Sequence, residues 1–189
     1  MQFTPELNFD GGRVRPLAAE DRDALFRVYQ QPELPGQRPL QDPAQLDRMI
    51  ELSVQMAATQ RGMMWALEVG SEGNYELLGV VGAFDWQPSM LRITLRIDGL
   101  PELGCDLRAA ALETCIGFLS SKYHLRNFAF QWVDGQNPAY RDMLTRIGFS
   151  LSARQRDGWR TAEQTFVDVE LYHRLLDQDV PDPTARAGE

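Results

Sequence analysis

The stretch MLRITLRIDGLPELGCDLRAAALETCIGFLSSKYHLRNFAFQWV, residues 90–133, changes its pattern twice. Residues 90–98 alternate between apolar and polar side chains, which is typical of a half-buried strand. Residues 106–123 have a helical pattern, and residues 126–133 form a second strand that is rich in aromatics. Because a long helix joins the two strands, we expect a right-handed parallel crossover within one sheet.

The strands before this unit should be antiparallel, because short turns join them. Residues 63–70 and 76–86 are predicted strands, separated by the turn SEGNY. The other predicted elements are a strand at 11–17, helices at 18–34, 43–60 and 137–149, and a closing hairpin at 150–172. We therefore predict an α/β (α+β) fold, with a mixed, mainly antiparallel sheet of about seven strands flanked by helices.

The second predicted helix, residues 43–60, carries an apolar stripe at helical spacing. Such a stripe predicts a face packed against the core. The stripe consists of Leu46, Met49, Ile50, Val54 and Met56 or Ala57.

Length and composition fit one soluble domain. The chain has 189 residues, of which 43% are hydrophobic and 24% are charged. Residues 1–176 are predicted to form a single domain, and the polar tail at 177–189 is expected to be flexible.

The formal net charge of −8 argues against binding to nucleic acid or to an anionic membrane surface. No run of residues approaches the ~18 apolar residues of a membrane span, and the first residues are unlike a secretory signal. Cys105 and Cys115 fit a reducing compartment, so we expect a cytoplasmic protein. These cysteines, with His124 and His173, lack metal-ligand spacing, and no metal site is expected.

Residues 137–149, NPAYRDMLTRIGF, begin and end with helix-terminating signals. Asn137 can cap a short helix, and Pro138 suits its first position. Gly148 can end the helix with a positive φ, and Phe149 then starts a strand in the core.

The loop LGCDLRA, residues 103–109, joins a strand to a helix. Backbone N–H groups at such a helix start can bind a phosphate. Asp106 stands where a second glycine would help, and as a cap its carboxylate would accept those N–H groups itself. Arg108 could pair with a phosphate or with Asp106. The alternative is a well-capped helix that binds no phosphate.

The element order and these two local patterns resemble the GNAT superfamily of acyl-CoA N-acyltransferases, over about residues 12–172. The ribosomal-protein and amino-acid acetyltransferase branch is the most similar. The resemblance implies acetyl-CoA as co-substrate, with its pyrophosphate on the loop and its acetyl group where the sheet splays apart. The CoA-binding residues that it implies are Leu95, Arg96, Ile97, Gly104, Cys105, Asp106, Leu107, Arg108 and Asn137.

The implied reaction is direct transfer to a primary amine of a small molecule or of a protein N-terminus. Tyr140 would protonate the leaving thiolate, although the family's usual position for this tyrosine is Leu144 here. Asn137 would bind CoA or order a water, unless it only caps its helix. For the base, water is one option, and the strand-end acids are Glu68, Asp85 and Asp98.

The side chains of Arg92, Thr94 and Arg96 share one face of a predicted strand. If that face lines the acceptor cleft, it favours an acceptor with a carboxylate or phosphate. If the face meets bulk water, it is an ordinary exposed surface.

Departures from the family pattern keep a second hypothesis open. Leu103, Asp106 and Leu144 all differ from it where CoA binding or chemistry would lie. The alternative is a catalytically inactive GNAT-fold binding or regulatory protein with an altered CoA site. Dimers are common in the family, and an exposed strand of the closing hairpin offers one route to a homodimer.

Overall fold

Eight strands form one sheet in the computed structural model, which describes residues 3–177. The strands are β1 (Leu7–Phe9), β2 (Gly12–Pro16), β3 (Met63–Ser71), β4 (Asn74–Gln87), β5 (Arg92–Gly99), β6 (Asn127–Val133), β7 (Ser150–Ala162) and β8 (Thr165–Leu175). The helices are α1 (Arg22–Gln30), α2 (Ala44–Ala58), α3 (Cys105–Tyr123) and α4 (Ala139–Arg146).

The strand order is β1-β2-β3-β4-β5-β6-β8-β7. Among the described strands, only β5 and β6 pair in parallel, and α3 connects them, which confirms the predicted crossover. The sheet is mixed and mainly antiparallel, as predicted, but it has eight strands instead of about seven. The additional strand is β1, whose three residues are too few to show a periodicity.

Burial follows the sequence patterns closely in the centre of the sheet. Residues 77–83 of β4 are all buried, because β4 lies between β3 and β5 and is covered on both faces. Along β5, Ile93, Leu95 and Ile97 are buried, and the residues between them are partly exposed. This confirms the predicted alternation.

The apolar stripe predicted for α2 is only partly a core face. Leu46 and Ile50 are buried against the sheet, but Val54 is 59% exposed and so its assignment is wrong. The helix touches the core along a narrow line, and a second line of its residues faces a cleft described below.

The short helix α4 has the ends that the sequence predicts. The Asn137 side-chain oxygen accepts a hydrogen bond from the N–H of Ala139 at 3.0 Å. Gly148 has φ +87° and ends the helix, and Phe149, which follows it, is buried.

The outer parts of the chain bear on three further expectations. No helix among residues 3–177 is long and apolar enough to cross a membrane. β7 lies at the edge of the sheet and most of its side chains are exposed, as the homodimer hypothesis requires; the homodimer itself stays a prediction.

The predicted flexible tail lies outside the described residues except for residue 177, and the domain boundary at 176 also stays a prediction.

Candidate active site

The sheet opens between its two parallel strands. Pairing of β5 with β6 ends at Leu95 and Phe130. Beyond that point β5 pairs only with β4, as far as Gly99, and β6 pairs only with β8, as far as Val133. No described strand fills the space between them. A wedge-shaped gap follows, with the ends of both strands as its walls.

Two adjacent cavities occupy this region. The first, of about 190 Å³, lies in the gap and is lined by Leu95, Arg96 and Ile97, among others. The second, of about 400 Å³, lies between α2 and the sheet; we call it the α2 cleft. Phe84, Arg96 and Asp98 line both cavities, so the α2 cleft and the gap lie next to each other at these residues.

Arg96 and Asp98 form an ion pair where the two cavities meet. The Arg96 Nε lies 2.8 Å from Oδ2 of Asp98, whose side chain is 14% exposed. Arg96 also donates to the Gln37 side chain at 3.3 Å. The polar face predicted for β5 therefore lines the cleft at these positions.

Of the three acids predicted as candidate bases, Asp98 alone lines these cavities. Glu68 is buried in ion pairs with Arg13 and Arg15 on β2, where it ties strands together. Asp85 is exposed at an irregularity in the pairing of β4 with β5. The geometry therefore selects Asp98, which sequence spacing could not single out.

The start of α3 is free of side-chain caps. Gly104 is the N-cap residue, and a Cβ added there would meet no atom within 4 Å. The expectation that Asp106 caps this helix is wrong. The Asp106 side chain is 90% exposed and pairs with Arg146 of α4 at 2.8 Å. The first N–H groups of α3 therefore keep their donors available at an open surface.

Arg108 is buried beneath the same loop, with a side chain only 1% exposed. Its guanidinium donates to the carbonyls of Leu103 at 2.7 Å and Leu100 at 3.3 Å, and it holds Glu33 at 2.7 and 3.0 Å. Arg108 therefore shapes the loop from below, and its predicted pairing with Asp106 is not formed.

Glu33 connects the loop to Tyr140. The Tyr140 hydroxyl donates to the Glu33 carboxylate at 2.5 Å, and the Gly99 N–H donates to it at 3.2 Å. Burial and this hydrogen bond raise the pKa of Tyr140 well above its usual range, so the hydroxyl keeps its proton at neutral pH. We call Glu33, Gly99, Arg108 and Tyr140 the Glu33 cluster.

Sequence reasoning missed Glu33. Its partners lie 66, 75 and 107 residues away along the chain, so no local spacing reveals them. Residue 33 lies in the α1–α2 loop, residues 31–43, which a Pro-rich composition marks only as a connection.

The α1–α2 loop is held over the gap from several sides. Leu34 lines the gap cavity, and the Trp159 indole donates to the Pro35 carbonyl at 2.8 Å. The backbone of Thr161 leaves no room for a side chain at Gly36, which has φ +75°. The long β7–β8 hairpin therefore packs against the outer side of the loop and holds it in place.

The remaining predicted residues lie around the same region. Asn137 is exposed and caps α4, and its carbonyl accepts from the Trp132 indole at 3.1 Å. Leu144 is fully buried, whereas Tyr140 reaches the Glu33 cluster. Cys105 and Leu107 lie in the first turn of α3 and are partly buried. The binding and catalytic roles of all these residues stay predictions.

The comparison with family models and the comparison with solved structures both identify acetyltransferases. A family model described as an acetyltransferase (GNAT) domain matches residues 13–150. A crystal structure of a probable acetyltransferase shares 20% identity over 90% of this chain and 96% of its own, with a TM-score of 0.78.

Two further structures contain a ligand. RimL, a ribosomal L7/L12 alpha-N-protein acetyltransferase in complex with coenzyme A, shares 14% identity over 92% of this chain and 99% of its own, with a TM-score of 0.79. The microcin C7 self-immunity acetyltransferase MccE, in complex with acetyl-CoA and AMP, shares 13% identity over 89% of this chain and 94% of its own, with a TM-score of 0.76. At these identities the likeness shows the fold. A search of curated proteins found no match.

Proposed function

Because the chain belongs to the GNAT acetyltransferase family, we propose that it transfers an acetyl group from acetyl-CoA directly to a primary amine. The amine belongs to a small molecule or to a protein N-terminus. The observation that carries the proposal is the gap between β5 and β6, which lies beside an uncapped helix start. One ligand can reach both features at once.

The residues present fit acetyl-CoA. Beyond Leu95 the free edge of β5 offers backbone groups, at Arg96 and Ile97, to a pantetheine arm. The first turn of α3, from Gly104 to Leu107, offers N–H groups and the positive end of a helix dipole to the pyrophosphate. Bound there, acetyl-CoA supplies an activated thioester. The complexes of RimL with coenzyme A and of MccE with acetyl-CoA support acetyl-CoA as the co-substrate.

The carboxylate of Asp106 does not close this site. Its charge is balanced by Arg146 at 2.8 Å, and both side chains are largely exposed, so Arg146 is free to turn towards a phosphate. This geometry weakens the argument from Asp106 for an inactive binding protein. Leu103 and Leu144 are core residues, and in this proposal Tyr140 supplies the hydroxyl that Leu144 lacks.

The chemistry is assigned to two side chains. Asp98 holds the acceptor ammonium at the entrance to the gap and takes its proton, directly or through water. Tyr140 keeps its proton at neutral pH because its pKa is raised, and it turns from Glu33 to donate to the leaving sulfur. A backbone N–H on the free edge of β5 polarises the carbonyl.

A pair of glycine variants tests the helix start. Gly104→Val places bulk at the open N-cap and should abolish acetyl-CoA binding. Gly117→Ala is the matched control, because Gly117 lies within α3 and also has free space around its Cβ position. In thermal unfolding, acetyl-CoA at about 100 times its dissociation constant should add ~2.7 kcal/mol to wild type and to Gly117→Ala.

Two results would contradict the proposal. If acetyl-CoA does not stabilise wild type, the inactive binding protein becomes the better hypothesis. If Gly104→Val binds as tightly as wild type, the start of α3 is not the pyrophosphate site.

A further inference from the structure

The helix α2 carries two different stripes. One packs into the core through Leu46, Ile50, Ser53 and Ala57. The second faces the α2 cleft through Gln45, Arg48, Met49, Leu52 and Met56. Both follow helical spacing, so the second stripe is a continuous surface and not a set of stray side chains. Leu52 remains 43% exposed on it.

The walls of the α2 cleft are mostly apolar. Met49 and Met56 face Met64, Val80 and Phe84 across the cleft. Methionine side chains are flexible and polarizable, so they adapt to apolar ligands of different shape. A cavity of about 400 Å³ with such walls is of the size that accepts a small molecule.

Charges lie at different places along the cleft. Arg96 and Asp98 lie where it joins the gap and form an ion pair, and Asp98 is the only carboxylate among the described residues that line either cavity. Arg48 is exposed and lines the cleft but not the gap cavity, and it takes part in none of the ion pairs among residues 3–177. The cleft therefore carries a net positive charge away from the reacting end, in a protein whose net charge is −8.

These observations identify an acceptor class. Resting on the acetyl transfer proposed above, we propose that the α2 cleft binds a small primary amine with an apolar body and a carboxylate at its far end. The amine meets Asp98, the apolar body lies against the methionines, and the carboxylate pairs with Arg48. A polyamine is rejected, because its second ammonium would meet Arg48.

Three amines of equal chain length test this assignment: 6-aminohexanoate, hexylamine and 1,6-diaminohexane. All three have six carbons, and the sixth is a carboxylate, a methyl group or a CH2 that carries an ammonium. With wild type and acetyl-CoA, kcat/KM measured by release of the CoA thiol should fall in that order. Each step should be about twofold to fivefold, the effect of one exposed ionic contact.

Charge reversal at Arg48 gives the sharper test. Arg48→Glu should make 1,6-diaminohexane a better acceptor than 6-aminohexanoate. Arg61→Glu is the matched control, because Arg61 follows α2, is exposed and does not line the cleft. It should keep the wild-type order. An unchanged order in Arg48→Glu, or a preference of wild type for the diamine, would overturn the proposal.

Calorimetric titration of the three amines without acetyl-CoA separates the two proposals. Binding in the same order, reversed in Arg48→Glu, supports the cleft assignment even if no acetyl transfer occurs, in which case the proposed reaction fails alone. If none of the amines binds and none is acetylated while acetyl-CoA still binds, the assignment of the acceptor is overturned.

Discussion

Replacing Arg108 by methionine should lower the free energy of unfolding by about 3–5 kcal/mol. The substitution fills a similar volume but leaves the Glu33 carboxylate, 16% exposed, without its cation. It also removes the guanidinium that donates hydrogen bonds to the carbonyls of Leu100 and Leu103 from beneath the loop. Removing one partner of a buried ion pair lowers stability by more than the intact pair adds to it, because the remaining charge stays buried and unpaired.

The control is the ion pair between Arg146 and Asp106, the second arginine–carboxylate pair at the start of α3. Arg146→Met removes the partner of Asp106, but these side chains are 56% and 90% exposed, so the loss should stay below about 1 kcal/mol. Urea denaturation of both variants measures the difference. If both variants lose the same free energy of unfolding, the Glu33 cluster does not stabilise the loop as a buried network.

Replacing Tyr140 by phenylalanine should lower kcat by about a hundredfold or more, the usual contribution of a positioned general acid. The KM for acetyl-CoA should change little, because the hydroxyl acts on the leaving group. Tyr172→Phe is the matched control: its hydroxyl also donates to a carboxylate, that of Glu170 at 2.9 Å, but from β8. Steady-state rates of CoA release give the comparison.

The pH dependence of kcat adds a second readout for Tyr140. Burial and the Glu33 hydrogen bond raise its pKa, so its proton is retained as pH rises through about 10, the ordinary tyrosine value. The wild-type profile should therefore show no loss of activity from Tyr140 below that pH. A Tyr140→Phe variant with wild-type kcat would exclude the hydroxyl as the acid.

Local patterns predicted most of the fold. The alternation along β5, the continuous apolar run of β4 and the α3 crossover each follow from residues close together in sequence, and these elements set the class of the sheet. The resemblance to GNAT proteins also placed residues 95–97 at the opening of the sheet, where the structure has it.

The site was less predictable, for physical reasons. The partners of Glu33 come from three distant elements, and only the folded chain brings them together. Whether Asp106 caps α3 or turns to Arg146 is a choice of side-chain rotamer that depends on α4. Met49 and Met56 suit a core and a ligand cleft equally well, so apolar spacing alone assigned them to the core.

The position of the α1–α2 loop has a consequence for the binding of the two substrates. Within five residues it holds Glu33, bound to the start of α3, and Gln37, bound to Arg96 at the mouth of the α2 cleft. The Pro35 carbonyl between them is fixed by Trp159. One segment therefore borders both proposed substrate sites, so we expect binding at one site to change the affinity of the other. Thermodynamic reciprocity then requires each substrate to change the affinity of its partner by the same factor.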